Sequence, residues 1–134
     1  MTPVLVDSNV ILDVVQEESR WTAWSTGAIE RLADQVGLVI NPIIYAEVSI
    51  GYRQIEEVET ILPVDIYRRE ALPFEAGFLA GKVFLSYRRS GGNRTSPLPD
   101  FYIGAHAAVR GYRLLTRDTR RFSTYFPTVE LIAP

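Results

Sequence analysis

Apolar residues follow two different spacings along this chain. Val4 to Val6, Val36 to Ile40 and Arg113 to Thr116 are short, largely apolar runs, the form taken by strands buried on both faces. Between them the spacing changes to three and four residues. Val10, Ile11, Val14 and Val15 mark the inner face of a helix capped by Ser8 or Asn9, and Trp21, Trp24, Ala28, Ile29 and Leu32 mark a second, from Glu18 to Asp34. Ile44, Val48, Gly51, Ile55, Val58 and Leu62 fall within about 40° of one line at roughly 100° per residue, which predicts one continuous helix. Pro63 to Tyr67 is expected to be an extended connection or edge strand. Pro73 opens a helix to about Tyr87, where Gly77, Ala80 and Gly81 among Phe74, Phe78, Phe84 and Leu85 suggest close helix packing. Pro99 and Gly111 bracket another helix by the usual proline start and glycine stop. Thr119 to Tyr125 suits a short helix, and Val129 to Ile132 a last strand. This alternation predicts an α/β fold: one domain over residues 1–134, with a parallel central sheet of about four to five strands flanked by helices on both faces.

Four acids fall at the ends or flanks of these elements. Asp7 follows the first strand, Asp118 follows the Arg113 to Thr116 strand, and Asp100 sits in the first turn of the Pro99 helix. Glu47 lies about 60° off its apolar stripe, so its carboxylate is half buried and needs a basic side chain or a cation. In an open parallel sheet the ligand crevice lies outside the carboxyl ends of the strands, where these acids project. Carboxylates converging there raise one another's pKa unless a cation is present, and hard oxygen donors select Mg²⁺ or Mn²⁺. Such a site suits phosphodiester hydrolysis, with Asp7, Glu47, Asp100 and Asp118 as metal-binding and catalytic residues. Asn9 and Thr116 are candidates to orient carboxylates or water, and Arg117, Arg120 or Arg121 to hold phosphates. Asp13 looks like an exterior helical acid. His106, six residues after Asp100, lies well round the helix and is expected to be non-catalytic, while Gly104 and Ala107 are small enough to leave a crevice open.

Composition narrows the chemistry. With no cysteine and one histidine, thiolate sites, disulfides and multi-histidine zinc sites are excluded. No apolar run approaches a membrane span, and Asp7, Asn9 and Asp13 interrupt any signal-peptide core, which makes a cytoplasmic location the expectation. The net charge of −2 conceals a division: residues 1–81 carry 5 Lys/Arg against 13 Asp/Glu, and residues 82–121 carry 9 against 2. Basic residues thus share a segment with two of the acids, as a site gripping a polyanion around a cation requires. Arg88 to Ser96, RRSGGNRTS, is expected to be a flexible basic loop able to close over a phosphate backbone.

VDSNVILD at Val6 to Asp13, AEV at Ala46 to Val48, PDFYIGAHAAVRGYRLLTRD at Pro99 to Asp118 and the closing FSTYFPTVELIAP resemble the PIN domain, and in particular the VapC toxins of toxin–antitoxin pairs. The resemblance implies a three-layer α/β/α fold and an endoribonuclease that uses Mg²⁺ or Mn²⁺ held by acids at the positions of Asp7, Glu47, Asp100 and Asp118. It further implies a homodimer and a cognate antitoxin that inserts a segment into or across the active site. Two other readings stay open on the residues alone: a nucleic-acid or partner-binding module without catalysis, and a DNA nuclease or phosphatase on the same site.

Overall fold

A computed structural model of the chain describes residues 2–17, 20–95 and 97–134. The first strand, β1 (Val4–Val6), leads into α1 (Ser8–Gln16); α2 (Thr22–Gln35) and β2 (Leu38–Ile40) follow. Glu18, where the second helix was expected to begin, lies outside the described residues. Gly37 makes the turn from α2 into β2 with a φ of 90°, a conformation that favours glycine, and its N–H closes the helix on the Leu32 carbonyl. The chain continues with α3 (Pro42–Ser49), α4 (Ile55–Ile61), β3 (Tyr67–Arg69) and α5 (Phe74–Arg89). It ends with α6 (Pro99–Arg110), β4 (Arg113–Leu115), α7 (Thr119–Tyr125) and β5 (Leu131–Ile132).

The five strands form one parallel sheet in the order β3-β2-β1-β4-β5, flanked by helices as a three-layer α/β/α fold. Every residue of β1 and β2 is buried, which is why these strands read as continuous apolar runs. From β1 the chain winds outward to β2 and β3, then returns to the opposite edge of β1 for β4 and β5. The reversal puts a topological switch point between β1 and β4, the place where open α/β sheets bind ligands beyond the strands' carboxyl ends.

Three expectations are corrected. The stripe from Ile44 to Leu62 is broken into α3 and α4, leaving Ile50 85% and Ile55 63% exposed. Gly51 is a poor helix former, Tyr52 N–H turns back to the Ser49 carbonyl, and extended Gln54 starts a new helix whose first turn holds Glu56 and Glu57, the charge a helix N-terminus favours. In α5, Ala76, Ala80 and Val83 face inward, but a Cβ on Gly77 or Gly81 would meet nothing within 4 Å, and Phe74 and Phe78 are 95% and 70% exposed. The glycines therefore make no close packing among the described residues. Arg88 and Arg89, expected in a loop, form the last turn of α5, and Ser96 lies outside the described residues. Among the described residues, no helix is long and apolar enough to cross a membrane.

Candidate metal centre

Asp7 is the first residue after β1, and its N–H donates to the Leu115 carbonyl at 2.9 Å, so it stands where β1 and β4 part. It is the N-terminal boundary residue of α1, yet its side chain does not cap the helix. Instead its Oδ2 accepts from Thr116 Oγ1 at 2.8 Å, with Asp7 and Thr116 both buried. Ser8, expected as a cap, is the first helical residue, and its hydroxyl donates to Glu47 Oε1 at 2.9 Å. Glu47 reaches this point because α3 packs against α1 and α6. Asn41 caps α3 by accepting from Ile44 N–H at 2.9 Å, with Pro42 in the first turn.

Asp100 projects from the first turn of α6, and Arg121 Nη1 lies 3.3 Å from its Oδ2. Asp118 precedes α7 and caps it, accepting from Arg121 N–H at 3.3 Å. Its own N–H donates to Thr116 Oγ1 at 3.0 Å, so one hydroxyl joins Asp118 to Asp7.

The electrostatics bind these acids into one group. Burial pushes the Asp7 carboxyl up from 3.8 to about 7; the Thr116 hydrogen bond and the Ser8 backbone oppose the rise, and the charges of Asp100 and Glu47 add to it. Burial also raises Glu47, against the Ser8 hydrogen bond and with the charge of Asp100. Asp100 is raised by burial and by Asp118, while Arg121 pulls it down. Asp7 has no basic partner among the described residues, and a buried carboxylate in that position is held ionised most readily by a cation. Among the described residues, no three His, Asp or Glu side chains stand close enough to cage an ion as they are placed. The fit to a hard divalent cation therefore lies in the donor chemistry: four carboxylates, the most buried of them, Asp7, without a basic partner among the described residues.

A family model described as the PIN domain matches residues 4–126. The chain belongs to the PIN domain family. Chains of several solved structures share its fold, three of them as follows. One is the crystal structure of VapBC2 from Rickettsia felis bound to a DNA fragment from their promoter, with TM-score 0.76, 17% identity and 99% of each chain covered. Another is VapBC-1 from nontypeable Haemophilus influenzae, with TM-score 0.73, 18% identity and 98% of each chain covered. The third is FitAcB from Neisseria gonorrhoeae, with TM-score 0.73 and 17% identity, covering 98% of this chain and 97% of that one. No curated protein sequence gives a significant match.

The arginines of this PIN domain divide by partner. Arg117, expected to face phosphate, is held by Asp13 through Nε to Oδ2 at 2.6 Å and Nη2 to Oδ1 at 3.1 Å. Asp13 is accordingly a buried acid and not an exterior one. It lies about 60° from Val10 round α1 at roughly 100° per residue, the same flank position that singles out Glu47. Arg121 is engaged with Asp100. Arg120 is exposed, and among the described residues its side chain has no partner. A cavity of about 440 Å³ beside Asp118 is lined by Arg120, Arg121, Thr124 and Tyr125.

A larger cavity, about 710 Å³, opens between α3, α4 and the end of β3, with mostly apolar walls that include Pro42, Tyr45 and Ile55. None of the four acids lines it, so its size carries no weight for the chemistry.

His106 is fully buried between Asn41 and Glu70. Because Asn41 Oδ1 accepts from Ile44, its amide nitrogen is the donor to His106 Nδ1, which leaves Nε2–H to donate to Glu70 Oε1 at 3.0 Å. Gly104 does not open a crevice: a Cβ there would lie 2.3 Å from the buried Phe126 ring, so its smallness serves packing. Sequence reasoning missed Ser8 and Asp13. The first is hidden because its partner is 39 residues away; the second was legible from its flank position.

Proposed function

We propose that this PIN domain is a metal-dependent endoribonuclease and the toxin of a toxin–antitoxin pair. The reading is carried by Asp7, an acid at the switch point with no basic partner among the described residues, whose ionisation is opposed by burial and then by the charges of Asp100 and Glu47. Asp7, Glu47, Asp100 and Asp118 are assigned as the carboxylates that hold Mg²⁺ or Mn²⁺. A bound divalent cation supplies Lewis acidity toward a phosphodiester and an attacking water. The chain's own residues do the rest. Thr116 fixes Asp7 and the Asp118 backbone, Ser8 fixes Glu47, and Asn9 Oδ1 accepts from Arg117 N–H at 3.4 Å at the same turn. Arg121, which offsets Asp100, is placed to exchange that carboxylate for a phosphate, and exposed Arg120 to hold a neighbouring one.

RNA as substrate and an antitoxin as partner are supported by the VapC resemblance and by the VapBC complexes whose chains share this fold. A cytoplasmic location and a homodimer accompany that reading.

The test is cleavage of an RNA oligonucleotide by the wild type, Asp7→Ala and Asp100→Ala with Mg²⁺ or Mn²⁺, set beside single-stranded DNA and a phosphomonoester. Cleavage confined to RNA, abolished by EDTA and lowered by several orders of magnitude in both variants is expected. Equal activity in the variants, or activity surviving EDTA, rejects the proposal, and preferred cleavage of DNA or of the monoester reassigns the substrate.

A further inference from the structure

We infer that Asp13 and Arg117 are positioning residues for the metal centre, holding from behind the Thr116–Arg117–Asp118 turn that presents one ligand and steadies another. The inference rests on the assignment of Asp7, Glu47, Asp100 and Asp118 as ligands made above.

The Asp13 side chain is 4% exposed, and a carboxylate so buried requires full compensation. It receives two hydrogen bonds from the Arg117 fork, at 2.6 and 3.1 Å, and a third from Ser25 Oγ of α2 at 2.7 Å. Bidentate guanidinium–carboxylate pairs fix orientation as well as distance. Arg117 is also the middle residue of the turn, and each of its neighbours is tied to the site. Thr116 Oγ1 donates to Asp7 and accepts from Asp118 N–H, while Arg117 N–H donates to Asn9 Oδ1. One segment, Asp7 to Asp13, therefore grips the turn at its start through Asp7, along its backbone through Asn9, and by its side chain through Asp13.

The pair has a second consequence. Arg117 adjoins Asp118, and a guanidinium left loose there would be drawn to the nearest carboxylates, the charges a divalent cation needs. Asp13 takes up that guanidinium instead, with its carbon 5.9 Å from the centre of the Trp21 ring. Both effects act on the ligands through other groups. Partners of this kind typically change metal affinity by about 10- to 100-fold.

The experiment is Mn²⁺ binding to the full chain without RNA, measured by calorimetry on the wild type, Asp13→Asn, Arg117→Lys and the double variant, with Asp118→Asn as the ligand control and a melting curve for each. Asp13→Asn and Arg117→Lys are each expected to weaken Mn²⁺ by about tenfold or more while still melting cooperatively. The double variant should lose little beyond either single one, because both act through one contact. Should Asp13→Asn fail to fold, Arg117→Lys decides, since it keeps the charge and removes the two-pronged grip. Mn²⁺ affinity within twofold of the wild type in the folded single variants, with only a lower melting temperature, overturns the inference alone. A wild type that binds no Mn²⁺, or Asp118→Asn binding as tightly as wild type, overturns the metal assignment and this inference with it.

Discussion

Asp7 couples the stability of the fold to pH. Its carboxyl is raised by burial from 3.8 to about 7, so between those values the folded chain keeps a proton that the unfolded chain has released. Stability from this group is therefore present at the acidic end and is lost as pH rises toward 7, the reverse of an acid held by a salt bridge. At about 1.4 kcal/mol per unit, the span from 3.8 to about 7 amounts to roughly 4 kcal/mol. Glu47 and Asp100 are raised as well and act in the same direction. Metal-free protein is expected to melt at lower temperature as pH goes from about 5 to about 8, with Asp7→Asn flattening that dependence. Because an ion needs the carboxylate, Mn²⁺ affinity is expected to rise with pH over the same range. Thermal denaturation across pH with and without Mn²⁺ checks both, and an Asp7→Asn variant that follows the wild-type slope refutes the assignment of this pH response to Asp7.

The elements reach the site through polar residues at their ends, and Asn41 shows how much one such residue holds. It caps α3, which carries Glu47, and its amide satisfies fully buried His106, which in turn donates to Glu70. Asn41→Ala removes a cap worth about 1 kcal/mol and leaves a buried ring nitrogen unpaired at a further 1–3 kcal/mol or so. A loss of roughly 2–4 kcal/mol by denaturant titration is expected, and a change within about 0.5 kcal/mol would mean that the network relaxes without it. The four acids were legible in the sequence because each sits at an element boundary or a stripe flank, and the strands because burial on both faces makes them apolar throughout. What held the acids was not legible. Thr116 and Asp7 are 109 residues apart and Arg117 and Asp13 are 104 apart, so their pairing is a product of sheet order. The break after α3 was missed for another reason: Ile44 and Val48 of α3, Val58 of α4 and Leu62 just after it are buried in one core, and angular counting alone sees a single stripe.

On the scale of the whole molecule, folding offsets part of the basic charge of residues 82–121. Arg110 pairs with Glu70, Arg113 with Glu130, Arg117 with Asp13 and Arg121 with Asp100, so four cations of that segment are matched within the chain. The outer face of α5 is apolar instead. Phe74, Phe78 and Leu85 are 95%, 70% and 44% exposed and recur at helical spacing, an apolar surface of the kind that marks protein contacts. Gly77 and Gly81 leave open space beside them, where a second helix could approach the backbone. A two-fold axis would place the same face of another copy there, phenylalanines against glycines. The wild type is expected to sediment as a dimer, and a Phe74→Glu, Phe78→Glu variant as a monomer with stability within about 0.5 kcal/mol, because exposed positions contribute little to folding. RNA cleavage per chain should survive in that variant, since all four acids come from one chain. Analytical ultracentrifugation decides it: a monomeric wild type, or a dimer that keeps its mass in the variant, would place the contact elsewhere or dismiss it.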